Sequence, residues 1–193
     1  MPFLYASRQH KREGRESLDC AISLQEYVHQ GVKNIITFDV HDSNVQNAIP
    51  ASSFDNFYPT NILLEKFITT EDVNNNNLLA VSPDNGALKR TRFYANMLGC
   101  ELGGHFEKHR DLYKVVDGKN PILEHEYIGK PVDGKDIIIV DDMIASGESM
   151  LDVARELKKR GAKRIYLFSS YAMFTKGVDV FENAYEEGMF TKL

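Results

Sequence analysis

The chain has 193 residues, of which 42% are hydrophobic and 26% are charged, a balance typical of a soluble globular protein with one large or two small domains. Its formal net charge of -5 argues against a nucleic-acid partner, which usually requires a basic face. No apolar run approaches the roughly 20 residues of a membrane span, and no signal peptide is visible. We therefore expect a cytoplasmic protein with reduced cysteines at Cys20 and Cys100.

The first part of the chain, residues 1–56, contains one predicted helix and one predicted strand. Apolar residues recur at near-helical spacing from Ser17, and Gly31 is a helix stop. The stretch KNIITFDVHD then predicts a short buried strand that ends in His41 and Asp42. The segments VQNAIP and FDNFYPT are rich in turn-forming residues, and we expect no strand there.

Residues 57–193 show a more regular alternation of helices and strands. NILLEKFIT and ALKRTRFYANMLG predict helices, and LLAVSPDNG predicts a strand that ends in Ser-Pro-Asp. ELGGHFEKHR predicts a weak strand, and residues 111–133 have poor periodicity and are predicted as a loop. KDIIIVDD is the clearest strand, ESMLDVARELKKRGAK is the clearest helix, and RIYLFSSYAMF predicts the next strand.

This alternation predicts an α/β fold with a mostly parallel sheet flanked by helices on both faces. In such sheets, ligands bind outside the carboxyl ends of the strands. Polar residues follow three of the predicted strands at this position, namely His41 with Asp42, Ser82 to Asp84, and Asp141 with Asp142. We therefore expect the functional site at this edge of the sheet.

The stretch MIASGES, which follows Asp142, is a candidate anion-binding loop. Gly147 permits left-handed backbone geometry, Ser146 and Ser149 supply hydroxyls, and the next helix supplies free N–H groups and a positive dipole end. The preceding carboxylates suit the hydroxyls of a sugar, or a magnesium ion through its waters. A sugar phosphate satisfies both halves of the stretch, and the alternative is that the acids and serines only cap a helix.

The stretch IIIVDDMIASGES resembles the ribose-phosphate loop of type I phosphoribosyltransferases and of phosphoribosyl pyrophosphate synthases. YASRQHKREGRE, TFDVHDSNVQ, AVSPDNGALKRTRFYA and FEKHRD resemble the ATP-binding, metal-binding, Ser-Pro-Asp and catalytic-loop segments of the synthases, in the same order. The resemblance covers nearly all of the chain and points to the ribose-phosphate pyrophosphokinase family, with a phosphoribosyltransferase-like fold. It implies magnesium-dependent transfer of pyrophosphate from ATP to ribose 5-phosphate, which gives phosphoribosyl pyrophosphate and AMP for nucleotide biosynthesis.

The resemblance also implies roles for individual residues. Lys108 and Arg110 match the two cations that stabilise the transferring group, in a flexible catalytic loop at about residues 107–123. His41 and Asp84 match residues that meet Mg²⁺. The residues that match the remaining substrate contacts are Arg8, Gln9 and again His41 for ATP, and Asp141, Asp142, Ala145, Ser146, Gly147, Glu148 and Ser149 for ribose 5-phosphate.

Five positions depart from the family pattern. Ala145 stands where an acid is common, and Glu148 stands where a glycine is usual, which adds negative charge beside a phosphate. Ala87 replaces a second glycine after Ser-Pro-Asp, His10 replaces an acid, and His109 replaces an arginine. Ala145 and Glu148, together with the short length of the chain, favour an alternative, a non-catalytic regulatory or binding relative of the synthases. A nucleobase phosphoribosyltransferase is the less favoured alternative, because it needs neither the ATP-binding nor the histidine segment.

The length of the chain also bears on its organisation. The family has two similar α/β domains and runs well beyond 193 residues, so we expect a chain truncated at both ends. Residues 1–56 would be the C-terminal half of the first domain, and residues 57–193 would be the second domain. The family further implies ATP and ribose 5-phosphate as ligands and assembly as a homo-oligomer, with neither nucleic acid nor membrane as a partner.

Overall fold

The computed structural model describes residues 1–12, 16–110 and 122–193, but not the side chains of 108–110 and 122–125. The chain divides into two compact units, Met1–Ile62 and Leu63–Leu193. No helix among the described residues is long and apolar enough to cross a membrane.

The first unit contains helix α1 (Asp19–His29), strand β1 (Asn34–Phe38) and strand β2 (Ser53–Phe57), and the two strands pair in parallel. Side chains of β1 alternate between exposed and buried, as expected of a strand with one covered face. The buried hydrophobic residues of this unit form one cluster, Leu4, Cys20, Leu24, Ile35, Val40, Val45 and Ile49. The prediction of turns alone in FDNFYPT is wrong, because β2 takes its place in the sheet with polar residues at alternate positions.

The second unit follows the predicted alternation more closely. Its elements are α2 (Thr60–Thr70, which begins in the first unit), β3 (Leu78–Ser82), α3 (Leu88–Leu98), β4 (Glu101–Arg110), β5 (Ile122–Gly129), β6 (Asp136–Ile144), α4 (Glu148–Lys159), β7 (Arg164–Ala172) and α5 (Asp179–Glu186). Five strands form one sheet in the order β5-β4-β3-β6-β7. Only the β4–β5 pair is antiparallel among the strands of this described sheet, so the mostly parallel sheet is confirmed.

Two hydrophobic clusters cover the two faces of this sheet. Along β6, Ile137 and Ile139 belong to the cluster that contains α4 and α5, whereas Ile138 and Val140 belong to the cluster that contains α2 and α3. Since side chains of a strand point alternately to opposite faces, a run of branched apolar residues is what a strand covered on both faces requires. The prediction that helices flank both faces is therefore confirmed.

The order of the strands places a crevice at the carboxyl ends of β3 and β6. The chain leaves β3 through α3 toward β4, and it leaves β6 through α4 toward β7, which lies on the other side. Because α3 and α4 pack on opposite faces, the two connections diverge between β3 and β6. This arrangement is a topological switch point, the place where open α/β sheets bind ligands.

Three expectations from the sequence need correction. The strand β6 does not end at Asp142 but runs on to Ile144, and it pairs with β7 beyond the end of β3. Residues 111–133 are not all loop, because β5 pairs with β4 as an antiparallel edge strand whose charged residues obscure its period. His41 follows β1 and so belongs to the two-stranded sheet, not to the five-stranded one.

Candidate functional site

Three carboxylates gather at the switch point. Asp84 follows β3, and Asp141 and Asp142 lie on the part of β6 that extends past β3. Asp142 is almost fully buried, and its backbone N–H donates a 2.9 Å hydrogen bond to Oδ1 of Asp141. Burial, a hydrogen bond with Asp142, and the charges of Asp142 and Asp84 raise the pKa of Asp141 well above its ordinary value. Carboxylates that oppose each other's ionisation attract protons, cations or hydroxyl donors.

Arg90 provides a positive charge beside these acids, and sequence reasoning missed it. It lies in the first turn of α3, and its Nη1 is 3.9 Å from Oδ1 of Asp142, with the arginine side chain only 14% exposed. The start of α3 is fixed by Asp84, whose Oδ1 accepts a 3.0 Å hydrogen bond from the N–H of Ala87. Asp84 therefore stabilises the turn that leads into α3, besides being a member of the acidic group.

The connection between β6 and α4 has the geometry of an anion site. Residues 145–149, called the cradle below, include Gly147, which is the N-cap of α4 and has a φ of 88°. A Cβ atom at Gly147 would overlap the ring of Phe181, so only glycine fits here in both backbone conformation and space. The N-cap of α4 is a glycine and so makes no side-chain hydrogen bond to the helix. The first N–H groups of α4 are suited to an anion.

A turn after β7 supports the cradle. The N–H of Met173 donates to the carbonyl of Ile144, and the N–H of Thr175 donates to the carbonyl of Ala145, both at 2.9 Å. The ring of Phe174 lies 5.0 Å from that of Phe181 on α5, which in turn packs under Gly147. Residues 173–177 are called the support turn below. The sequence predicts a strand through Phe174, whereas β7 ends at Ala172, and neither the turn nor α5 is predicted, because their role is to contact a loop far away in the chain.

The first unit brings together a second group of predicted residues. Arg8 and Gln9 are exposed on a turn, and the ring of the next residue, His10, lies 5.3 Å from the ring of His41. Nδ1 of His10 is 3.0 Å from Oδ2 of Asp42, and burial lowers the pKa of His10. A neutral imidazole that donates from Nδ1 to a carboxylate has its Nε2 lone pair available as an acceptor.

The predicted catalytic cations cannot be placed in the same way. Lys108 and Arg110 belong to the last residues of β4, but their side chains lie outside the described part of the structure, as do residues 111–121 of the predicted catalytic loop. Across the described residues, no three or more His, Cys, Asp or Glu side chains are arranged to hold a metal ion by themselves. The roles of Lys108, Arg110, His41 and Asp84 stay predictions.

A mostly parallel sheet with acids and a helix N-terminus at its switch point is an arrangement in which α/β proteins bind phosphorylated ligands. Residues 61–185 match the family model described as Phosphoribosyl transferase domain, and the chain belongs to that family.

The relatives and solved structures agree with this assignment. The chain is 32% identical over 181 residues to a ribose-phosphate pyrophosphokinase of Ralstonia nicotianae, which covers 92% of this chain and 53% of the relative. It is 28% identical over 189 residues to a ribose-phosphate pyrophosphokinase of Prochlorococcus marinus, and the match covers 98% of this chain and 53% of the relative. A phosphoribosylpyrophosphate synthetase structure from Mycobacterium smegmatis matches with a TM-score of 0.73 and 22% identity, over 89% of this chain and 52% of that one, and supports the fold. The chain thus spans about half the length of the curated relatives it matches.

Proposed function

We propose that this chain provides the sugar-phosphate site and the transfer residues of a ribose-phosphate pyrophosphokinase. The observation that carries the proposal is the placement of Asp141 and Asp142 directly before the cradle, at the switch point of the sheet. The relatives that align with nearly the whole chain are named for this activity.

The proposed sugar site has two parts with complementary chemistry. The cradle takes the 5-phosphate through backbone N–H groups and the positive end of α4. Asp141 and Asp142, on the strand that enters the cradle, accept hydrogen bonds from the ribose hydroxyls. Contacts at both ends of the sugar fix its orientation, and this positions the 1-hydroxyl for attack.

The proposed reaction forms a bond between the 1-hydroxyl oxygen of ribose 5-phosphate and the β-phosphorus of ATP. The bond from that phosphorus to the oxygen shared with the α-phosphate breaks, AMP leaves with this oxygen, and the hydroxyl proton is released. Catalysis of such transfers depends on positioning and on neutralising charge, which is the role we assign to Lys108 and Arg110. Arg8, Gln9 and His41 would bind ATP.

We assign Mg²⁺ as the metal, with His41 as the protein ligand of an ion at the ATP phosphates and Asp84 as that of a second ion near the ribose. The fit rests on the carboxylate group at the switch point, where burial and the neighbouring acids raise the pKa of Asp141 and a divalent cation would relieve the repulsion between the charges. Magnesium usually takes only one or two protein ligands beside waters and substrate phosphates, so a preformed cage is not required. When bound, it would neutralise the phosphate charge of ATP.

The organisation of the whole protein is part of the proposal. Residues 1–56 form the C-terminal half of a first phosphoribosyltransferase-like domain, and residues 57–193 form the second. The protein acts in the cytoplasm and assembles as a homo-oligomer.

The direct test is AMP formation from ATP and magnesium by this chain, with and without ribose 5-phosphate. AMP that appears only with the sugar phosphate supports the proposal. We expect Lys108→Ala to lower turnover at least about 100-fold with an unchanged fold, because it removes a cation from the transferring group. Lys33→Ala removes an exposed lysine of the first unit and serves as the control. Full turnover by Lys108→Ala would remove this role from the residue.

A non-catalytic relative is the second candidate. The negatively charged Glu148 and the presence of Ala145 in place of an acid favour it. Such a protein would bind ribose 5-phosphate in calorimetry and form no AMP. A nucleobase phosphoribosyltransferase would instead release pyrophosphate from phosphoribosyl pyrophosphate in the presence of a base.

A further inference from the structure

An ion pair lies at the mouth of the cradle, and the function proposed above does not use it. Glu148 is the first residue of α4, and its Oε1 is 2.5 Å from Nζ of Lys176 in the support turn. Both side chains are 59% exposed. The acid therefore stands at the helix end where an anion would bind, and the lysine is its counter-charge.

The backbone holds Lys176 in this position. The support turn is joined to Ile144 and Ala145 by the two hydrogen bonds described above, and the N–H of Gly177 donates a 2.8 Å hydrogen bond back to Phe174. Phe174 has a φ of 45°, a left-handed conformation that a bulky residue adopts only where its surroundings impose it. Lys176 therefore lies on a turn whose backbone is fixed by hydrogen bonds.

We propose that Lys176 neutralises Glu148 and thereby sets the affinity of the cradle for the phosphate group of its sugar ligand. This inference rests on the proposed function of the cradle. A carboxylate beside the phosphate would repel it, and the repulsion would be about twice as strong for a phosphate with two negative charges as for one with a single charge. With Lys176 in place, the pair carries no net charge, and the N-terminal dipole of α4 is left to attract the ligand.

This role makes the pair matter for binding more than for stability. Exposed ion pairs contribute little to the free energy of unfolding, because water screens them and two long side chains must be ordered. In contrast, a change in net charge next to a bound dianion directly changes the affinity for that ligand. Lys176 is therefore a charge-compensating residue. If its role were only structural, the affinity for the ligand would not follow the net charge of the pair across variants.

The test is calorimetry of ribose 5-phosphate, without ATP, on the parent and four variants at low ionic strength. Lys176→Ala leaves Glu148 uncompensated, and we expect about fivefold weaker binding; Glu148→Gln leaves the lysine in excess, and we expect about fivefold tighter binding. The double variant restores neutrality and should return close to the parent affinity. Lys176→Arg keeps the charge and should also bind normally, and every difference should shrink in salt.

The matched control is Lys159→Ala. This lysine also pairs with a glutamate, Glu156, but it lies at the other end of α4, about 16 Å away for a helix of 12 residues. We expect no change in sugar-phosphate affinity from its removal.

Two results would overturn the inference. Unchanged affinity in Lys176→Ala would show an ordinary surface pair, and a double variant as weak as Lys176→Ala alone would show that the lysine contacts the phosphate directly. Both differ from failure of the proposed function, in which the parent chain itself would bind no ribose 5-phosphate.

Discussion

The two units of this chain bury their sheets to different extents. In the second unit, both faces of a five-stranded sheet are covered, and β3 is buried at every position. In the first unit, the two-stranded sheet has one covered face, and Ile36, Phe38 and Phe57 on its other face are each about half exposed. An isolated pair of strands is marginal in water, whereas three or more strands with packed faces are self-sufficient. The proposed sugar-phosphate site therefore lies in the better-packed unit.

The candidate residues differ in the same way. Asp142 and Gly147 of the second unit are buried and held by neighbouring side chains or backbone, whereas Arg8, Gln9 and His41 of the first unit are exposed. Substitutions at the cradle should therefore cost more than substitutions of the same type in the first unit. The predictions below test this difference, from the largest effect to the smallest.

The largest effect is expected at Gly147. Gly147→Ala adds a Cβ that overlaps the ring of Phe181, and its backbone is left-handed, so we expect a loss of about 3 kcal/mol in the free energy of unfolding. Gly31→Ala in the first unit is the matched change, with a φ of 94° and no atom within 4 Å of the added Cβ. It should cost about 1 kcal/mol. Denaturant titration measures both, and equal costs would contradict the claim that packing against Phe181 constrains the cradle.

The next effect is a pH-dependent gain in stability from Asp141→Asn. The pKa of Asp141 is raised in the folded protein, so the folded state binds its proton more tightly than the unfolded chain, and ionisation opposes folding. Stability contributed at this position is therefore present at acid pH and is lost as the pH rises from about 4 toward neutrality. Removing the charge should stabilise the metal-free protein by about 2 kcal/mol at pH 8 and have little effect at pH 4.

Urea titrations at the two pH values test this sign. Asp152→Asn is the control, since this exposed aspartate on α4 pairs with Arg155 at the surface and should give a small change at both values. A variant at Asp141 that is less stable than the parent at pH 8 would contradict the repulsion at the switch point.

The sequence predicts those parts of the fold that carry a local period. The unbroken apolar run of β6 and the one-sided apolar spacing of α4 both indicate their final structures and their packing. The strand β2 is not predicted because Asp55 and Asn56 weaken its hydrophobic pattern. It is stabilised by pairing with β1, which is distant in sequence.

The site follows the same division. The acids and the cradle are contiguous in the chain, so their proximity could be predicted from the motif alone. The pairing of Glu148 with Lys176 joins positions 28 residues apart, and the contact of Arg90 with Asp142 joins α3 to β6, which are also distant in the chain. No local spacing encodes such contacts, because they depend on the strand order and on the connections that the fold selects.

The smallest effect on stability is expected at the exposed face of β1 and β2. Phe38 and Phe57 lie with ring centroids 6.2 Å apart on this face, and replacing both with serine removes little buried area. We expect a change within about 0.5 kcal/mol in the free energy of unfolding, together with a clear loss of binding of an apolar fluorescent dye. Phe93→Ser on α3, which removes one exposed ring of the second unit, should leave dye binding nearly unchanged. If the paired replacement instead unfolds the protein, the two rings belong to a core, and the contrast between a half-covered and a fully covered sheet is wrong.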